Sequence, residues 1–251
     1  MKRFALVLIL LLALLFKGFS QNNKHITLSM RLLSGLKENK TVDNLVDSIA
    51  NIKAKELQQE LDNDEKRKAF WINVYNGFVQ YILGKNPEKF NNRGAFFKSK
   101  QITVAGKLLS LDNIEHGIIR RSKNKLSLGY LNKIRKSKFE KKFRITKVDW
   151  RVHFALNCGA KSCPRIPVLD GTRCHEQLQK AAEIYLKETS IYKDKKVEIT
   201  SLCSWFRADF GGKKGVIKIL KNFGIVPRDV KPKISYAYYD WTLALGNYID
   251  I

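Results

Sequence analysis

Apolar positions with helical spacing dominate the first third of the chain and predict two helices. Between Thr41 and Leu61 the apolar residues fall on one stripe, and Thr41 is a suitable cap for the start of a helix. A second helix is predicted from about Asp64 to Leu83, closed by Gly84 and Pro87. This helix is apolar almost all round, which indicates that it is buried.

Shorter elements of both kinds follow. Ile102 to Val104 and Leu108-Leu109 flank a three-residue turn and predict a β-hairpin, and a short helix is predicted over Asp112 to Arg121. Apolar residues interleave with lysines at near-helical spacing in Lys123 to Lys147, which predicts an amphipathic helix with a cationic outer face. The other predicted elements are strands at Val152 to Leu156, Val197 to Leu202 and Ile234 to Tyr239, and helices at Glu176 to Lys187 and Lys214 to Asn222.

The order of these elements predicts the fold class. Helices come mostly first and strands are scattered later, which favours α+β over a regular alternation of strands and helices. The sequence has no internal repeat, low-complexity tract or Pro/Gly-rich linker. We therefore expect residues 21–251 to form a single globular domain, with a helical N-terminal part followed by a small mixed sheet.

The N-terminus predicts export. Lys2 and Arg3 precede an apolar run from Phe4 to Phe16, and small residues in Gly18-Phe19-Ser20 stand before Gln21. The run is shorter than the roughly 20 residues that span a bilayer, so a cleaved signal peptide over residues 1–20 is favoured over a membrane anchor. The mature chain is then expected in the periplasm or secreted.

The net positive charge of the chain favours an anionic partner. The net charge of +24 becomes +21 without residues 1–20, because Lys2, Arg3 and Lys17 are lost. Of the anionic partners that suit such a charge, nucleic acid is the poorest for an exported protein. Basic residues are densest in Lys123 to Lys147, which contains ten lysine or arginine residues and a single acidic residue, Glu140. This stretch is interpreted either as a solvated face or as a patch for peripheral contact with an anionic membrane surface. The sequence does not indicate the oligomeric state of the protein.

Candidate chemistry concentrates in His153 to Pro164, which contains an Asn157-Cys158-Gly159 turn after an apolar segment. A thiol at a strand end, beside exposed backbone N–H groups and an imidazole base, could act as a nucleophile. If the strand continues through Cys158, side-chain alternation puts His153 on the opposite face and makes His116 the better base. Asp112 could orient His116 from one turn away, and Glu115 could also face the site. A turn beginning at Asn157 would bring His153 back as the base, so both histidines stay candidates.

Two buried amides are further candidates. Asn73 and Asn76 lie three residues apart on one face of the apolar helix, and buried amides need hydrogen-bond partners. They either tie down a neighbouring loop or, together with Asn157, bind substrate.

Three motifs, Phe70 to Asn76, Ile114 to Ile118 and His153 to Pro164, resemble in order and spacing the motif set of the DUF547 family. The resemblance covers about Asp43 to Leu186. Because the family includes bacterial exported proteins, it implies an exported bacterial member, and it implies no particular reaction. A papain- or transglutaminase-like arrangement would suit a thiol, a histidine and a carboxylate, by analogy alone.

The four cysteines leave three interpretations open. An oxidising compartment favours disulfides, for example Cys158–Cys163 and Cys174–Cys203. A zinc site would take His153, Cys158, Cys163 and His175, although these intervals are wider than in most structural zinc sites. The third interpretation is a catalytic thiol at Cys158, which needs neither metal nor cofactor.

We therefore hypothesise an exported cysteine-dependent hydrolase or acyltransferase acting on a peptide or an anionic envelope component. The alternative is a disulfide-stabilised binding module, without enzymatic activity, for an anionic partner of the cell envelope. A free and reactive Cys158 distinguishes the first from the second.

Overall fold

The structure is a computed structural model and describes residues 23–251. The predicted signal peptide lies outside the described residues. Within residues 23–251, none of the helices has the length and apolar character needed to cross a membrane.

The N-terminal part is helical, as predicted, and is built around one long buried helix. The first four helices of the described residues are α1 (Lys24–Lys37), α2 (Asp43–Ala50), α3 (Ala54–Glu60) and α4 (Asp64–Lys85). The side chain of Asn63 caps α4 by accepting a hydrogen bond from the Lys66 N–H. The helix runs two residues past its predicted end because Gly84 continues it, and the chain leaves the α conformation just before Pro87.

The prediction of one continuous helix over Thr41 to Leu61 is wrong, because two helices form there. The chain breaks this helix between Ala50 and Ala54 into α2 and α3, and the N-cap of α2 is Val42, without a side-chain capping bond. The apolar stripe is nevertheless real, since Ile49, Ile52 and Leu57 are all buried. Apolar residues can keep helical spacing across a break in the helix when the helices on both sides pack on the same core.

The rest of the chain confirms the α+β class and a single domain. Three small sheets are present among the described residues: an antiparallel hairpin, a short parallel pair, and a three-stranded sheet in which the central strand pairs antiparallel on one side and parallel on the other. In chain order these elements are α5 (Arg93–Lys98), β1 (Ile102–Val104), β2 (Lys107–Leu109), a π-helix (Asn113–Ile119), α6 (Lys138–Phe143), a 3-10 helix (Trp150–Phe154), β3 (Ile166–Pro167), α7 (Cys174–Thr189), β4 (Ile191–Lys193), β5 (Lys196–Ile199), α8 (Leu202–Trp205), α9 (Gly212–Asn222), β6 (Lys233–Tyr236) and β7 (Tyr248–Ile249).

Most of the later elements agree with the sequence predictions, and two do not. The predicted strand Val152 to Leu156 is the 3-10 helix Trp150–Phe154, followed by a turn. The basic stretch Lys123 to Lys147 is largely irregular, and only α6 within it is an α-helix. Phe139 and Phe143 of α6 pack edge-on against Trp71 of α4, with ring centroids 6.1 and 5.8 Å away, so this part of the apolar pattern is buried.

The crossing of α1 and α4 depends on a glycine. Gly77 lies against Leu32 of α1, and an added Cβ would come within 2.6 Å of the Leu32 side chain. Gly84 lies on the same helix at an exposed position where an added Cβ meets nothing within 4 Å.

We predict that Gly77→Ala destabilises the protein by about 1–3 kcal/mol, because the extra methyl group overpacks the helix crossing. The matched change Gly84→Ala should stabilise it by about 0.5–1 kcal/mol, because alanine costs less conformational entropy than glycine in a helix. Urea unfolding measures both. Equal effects of the two substitutions would contradict the close packing at Gly77.

Candidate functional site

One cavity brings together side chains from all three sequence motifs and from the C-terminal part of the chain. Its volume is about 300 Å³, and aromatic and apolar groups form most of its wall. The predicted residues Glu115, His116, His153 and Cys158 all line it. The remaining lining residues are Tyr75, Phe97, Asp112, Lys125, Leu156, Cys163, Leu202, Trp205, Phe206, Tyr239 and Trp241.

The loop that carries the two cysteines of the cavity is held by buried asparagine amides. Asn76 of α4 donates to the Ala155 carbonyl at 2.8 Å and accepts from the Asn157 N–H at 2.9 Å. The Asn157 side chain in turn accepts from the Gly159 N–H and donates to the Pro164 carbonyl. Gly159 adopts a φ of +91°, a conformation that favours glycine. These bonds fix Cys158 at the cavity wall.

Asn73 does the same for a neighbouring segment. Its side chain donates to the Leu169 carbonyl at 2.8 Å and accepts from the Leu169 N–H at 2.9 Å. Asn73, Asn76 and Asn157 are all fully buried, and none of them lines the cavity. The geometry therefore assigns them to loop bonding rather than to substrate contact.

Cys158 and Cys163 form a pair of free thiols at one side of the cavity. Their sulfur atoms lie 2.7 Å apart, and Cys163 is buried while Cys158 is half-buried. The Cys163 sulfur also accepts hydrogen bonds from the Cys158 N–H at 3.1 Å and from the Tyr239 hydroxyl at 3.2 Å.

These contacts give the two thiols different acidities. Burial raises the pKa of Cys163, but hydrogen bonds from the Cys158 thiol, Tyr239 and two backbone N–H groups outweigh it, so that its pKa is lowered. The hydrogen bond to Cys163, followed by burial, raises the pKa of Cys158. Cys163 is therefore the more acidic of the two thiols.

His116 lies in the π-helix and is held by a buried arginine. Arg120 Nη1 lies 2.9 Å from His116 Nδ1, and because arginine can only donate, Nδ1 must accept. Burial, and then the Arg120 charge, lower the pKa of His116 from 6.5 to about 3. At neutral pH the ring is uncharged and carries its proton on Nε2. His116 is thus arranged as a hydrogen-bond donor at the cavity and not as a base.

The predicted partner of His116 is only a near neighbour. Asp112 Oδ1 lies 3.6 Å from His116 Nε2, beyond hydrogen-bond distance, and the Asp112 carboxylate pairs with Lys125 at 2.9 Å. Glu115 accepts a hydrogen bond from the Tyr75 hydroxyl at 3.1 Å.

His153 has the opposite arrangement. Its Nε2 lies 2.9 Å from Asp209 Oδ2, so Nε2 carries the proton and Nδ1 keeps its lone pair. The ring stacks on Phe206 with centroids 4.0 Å apart, and burial lowers its pKa. A carboxylate therefore orients the His153 imidazole through one nitrogen and leaves the other unprotonated, which is the arrangement that a general base requires.

The same carboxylate links the two histidines. Arg120 Nε donates to Asp209 Oδ2 at 2.7 Å while its Nη1 donates to His116. Both members of this ion pair are buried, Arg120 at 1% and the Asp209 side chain at 0% exposure. Burial alone would raise the pKa of Asp209, but His153 and Arg120 lower it overall.

The turn before Cys158 changes the geometry expected from the sequence. The alternation that separated His153 from Cys158 applies only to a strand, and here a 3-10 helix ends at Phe154. His153 and Cys158 consequently line the same cavity, although no hydrogen bond joins Cys158 to either imidazole in the described part of the chain.

Neither the predicted Cys174–Cys203 pair nor the zinc site is formed among the described residues. Cys174 lies near Glu65 at the start of α7 and Cys203 lies in α8; both are buried free thiols. His175 is exposed beside Arg151 and does not line the cavity, so the four proposed zinc ligands do not converge. Within residues 23–251, no group of three or more histidine, cysteine or carboxylate side chains is arranged to hold a metal ion.

Sequence reasoning missed Arg120 and Asp209, which fix both imidazoles, and the aromatic wall of Trp205, Tyr239 and Trp241. Asp209 is 56 residues from His153 in the sequence. Only the excess of aromatic residues between 205 and 241 could have pointed to this part of the chain.

The fold and site define a class: a single α+β domain with a thiol pair and two neutral imidazoles at one cavity. Residues 58–186, more than half of the 251-residue chain, match the family described as protein of unknown function, DUF547. The chain belongs to the DUF547 family. The match begins later than Asp43, and it ends before Asp209 and the aromatic wall.

Neither the curated proteins nor the solved structures include a match to this chain. The papain- or transglutaminase-like arrangement therefore stays a prediction.

We predict that acid destabilises the protein partly through His116. The unfolded chain binds a proton near the ordinary pKa of 6.5, whereas the folded ring stays neutral to about pH 3, so lowering the pH favours the unfolded state. Between pH 7.5 and 5 this effect is on the order of 2 kcal/mol for one histidine. His116→Gln should remove about that much of the pH dependence, measured as the difference between urea unfolding free energies at the two pH values.

His175→Gln, which removes an exposed ring outside the cavity, is the matched control and should retain the wild-type pH dependence. If His116→Gln left the pH dependence as large as in the wild type, the assignment of His116 as a buried neutral ring would be wrong.

Proposed function

We propose that this protein is a cysteine-dependent hydrolase or acyltransferase, with Cys158 as the nucleophile. One observation carries the proposal: a single cavity contains a thiol, an imidazole–carboxylate pair in His153 and Asp209, and a neutral N–H donor in His116. Acyl transfer requires a nucleophile, an oriented base and a donor for the oxyanion. The residues that supply these three groups come from two distant parts of the sequence but line one cavity, which supports a shared role in catalysis.

The proposed reaction begins when the Cys158 sulfur attacks an acyl carbon and its proton passes to His153 Nδ1. The carbonyl oxygen becomes an oxyanion that accepts the Nε2–H of His116. Asp209 stabilises the imidazolium through Nε2, and His153 then returns the proton to the leaving group. Water or a second nucleophile cleaves the resulting thioester, with His153 again taking and returning the proton.

One movement is required. The Cys158 thiol contacts Cys163, and it must turn from that sulfur toward His153 before attack. A change of one side-chain rotamer changes the position of the sulfur without moving the loop that Asn76 and Asn157 hold.

The wall of the cavity favours a substrate with an apolar group next to the acyl carbon. Trp205 stacks on Trp241 with centroids 5.6 Å apart, and Tyr239 contacts both rings. A peptide with an apolar side chain, or an acylated component of the cell envelope, has this chemistry. We place the reaction outside the cytoplasm, in the periplasm or after secretion, on the basis of the signal peptide predicted over residues 1–20.

We predict that p-nitrophenyl acetate acylates Cys158, with one acetyl group per chain mapped by mass spectrometry. His153→Gln should slow acylation by about a hundredfold or more because the base is lost. His116→Gln should slow it about a hundredfold because the oxyanion loses a donor. His175→Gln and Cys203→Ser should leave the rate unchanged, since neither residue lines the cavity.

A second readout applies if His153→Gln does not fold. Because burial lowers the pKa of His153, the wild-type rate, measured from pH 8 downward, should begin to fall only below the pH at which an ordinary imidazole with a pKa near 6.5 becomes protonated. A rate that falls tenfold per pH unit, as for an isolated thiol, or acylation at residues other than Cys158, would contradict the proposed mechanism.

A second function is favoured by the contact between the sulfur atoms of Cys158 and Cys163. Two thiols in contact can reduce a disulfide: one thiolate attacks it and releases the first substrate thiol, and the second thiol then attacks the mixed disulfide and releases the second substrate thiol. The pair is left as a Cys158–Cys163 disulfide, so that two electrons and two protons pass to the substrate. A Cys158–Cys163 bridge that persists would instead leave a disulfide-stabilised binding module without a nucleophile.

Cys163→Ser separates these functions. Acylation at Cys158 should persist in this variant if the protein is an acyl-transfer enzyme, whereas reduction of oxidised dithiothreitol needs both sulfurs and should be lost in either single variant. Loss of both activities in Cys163→Ser, with the fold intact, would show that the thiol pair acts as a unit and would reject the acyl-transfer proposal. A bridge mapped in the native protein and resistant to glutathione would favour the binding module.

A further inference from the structure

The basic segment after the π-helix presents apolar side chains to solvent. Five of the eight large apolar side chains exposed in residues 23–251 lie in residues 126–134, which we call the apolar loop. Ile134 is 98% exposed, Leu126 91% and Leu131 65%. The sequence pattern predicted that Leu131 and Ile134 would face a core, and the structure places them outside it.

The apolar loop is nevertheless an ordered structure. The Asn124 N–H donates to the Leu131 carbonyl at 2.9 Å, and the Lys133 N–H donates to the Ser122 carbonyl at 2.7 Å, which closes the loop at its base. The Ala208 N–H donates to the Leu128 carbonyl at 3.0 Å and ties the loop to the body of the protein. The apolar side chains are therefore displayed by a closed loop and do not result from an unpaired backbone.

Lysine and arginine side chains follow the apolar loop directly. We call Arg135, Lys136, Lys138, Lys141 and Lys142 the basic rim; all five are at least partly exposed. Glu140, the acidic residue of this segment, is buried and lies 3.6 Å from Lys133. It does not neutralise the charges of the rim.

We propose that the apolar loop and the basic rim together dock the protein on an anionic lipid bilayer. Aliphatic side chains lose their contact with water on entering the interfacial region, while nearby lysines attract anionic headgroups. A polyanion in solution would use the charge but would leave Leu126, Leu131 and Ile134 in water. The combination of exposed aliphatic groups and basic residues therefore favours a membrane surface over a soluble anionic polymer.

Docking would also place the cavity near the bilayer. Lys125 borders the apolar loop and lines the cavity, and Gly129 of the loop lies against the Asp209–Arg120 pair. An added Cβ at Gly129 would come within 2.5 Å of Asp209 Oδ1.

The test is sedimentation of residues 21–251, the chain expected after signal-peptide cleavage, with phosphatidylcholine vesicles that contain or lack about one third phosphatidylglycerol. We expect binding to the anionic vesicles, weakened by salt and much reduced with phosphatidylcholine alone. Replacing Leu126, Leu131 and Ile134 with serine should weaken vesicle binding at least about tenfold and leave retention on heparin resin unchanged. Replacing Lys136, Lys138, Lys141 and Lys142 with glutamine should weaken both, vesicle binding on the order of a hundredfold.

Matched controls come from exposed positions elsewhere. Ile191→Ser with Tyr238→Ser, and glutamine at Lys193, Lys195, Lys196 and Lys213, should bind vesicles as the wild type does. Every variant lacks residues 1–20, so their apolar run does not contribute to vesicle binding. Unchanged vesicle binding in the serine variant would overturn the proposal, and so would retention on heparin without vesicle binding, which would indicate a soluble polyanionic partner.

Discussion

The buried guanidinium of Arg120 determines the protonation of the cavity. Its charge is compensated by Asp209, and a buried ion pair of this kind tolerates the loss of one partner poorly, because the other charge is left without compensation. Arg120 forces Nδ1 of His116 to accept a hydrogen bond, and Asp209 forces Nε2 of His153 to donate one. One ion pair thereby gives the two imidazoles different roles at the cavity. His116 offers its Nε2–H as a hydrogen-bond donor, and His153 offers its Nδ1 as an acceptor.

Hydrogen bonds and burial likewise give the thiols of Cys158 and Cys163 different pKa values. Hydrogen bonds from the Cys158 thiol, Tyr239 and backbone N–H groups lower the pKa of Cys163, while the hydrogen bond to Cys163 and burial raise the pKa of Cys158. Cys158 is the half-buried thiol, and Cys163, the more acidic of the two, is buried. The rigidity of this arrangement derives from α4, because Asn76 on that helix bonds the backbone directly before the Asn157-Cys158-Gly159 turn.

The sequence predicted those features that depend on local periodicity or on residue type. Long helices such as α4 and α7 were evident from their apolar spacing, and His116, His153 and Cys158 stood out because few residues of their kinds are present. The five-residue segment Val152 to Leu156, apolar except for His153, fits a strand or a buried 3-10 helix equally well, so its conformation could not be predicted. The Arg120–Asp209 pair joins residues 89 positions apart, and no local pattern marks such a contact. The apolar loop shows the converse, since near-helical spacing there accompanies neither a continuous helix nor burial.

The central claim is that Arg120 and Asp209 hold His116 and His153 neutral, both with the proton on Nε2. Long-range nitrogen–proton correlation NMR of the imidazole rings reads this tautomer and its titration directly. His116 is expected to remain a neutral Nε2–H tautomer at pH 5, and His153 is expected to be neutral with an unprotonated Nδ1 at pH 7. A His116 ring that carries its proton on Nδ1, or that becomes charged between pH 6 and 7, would contradict the central claim.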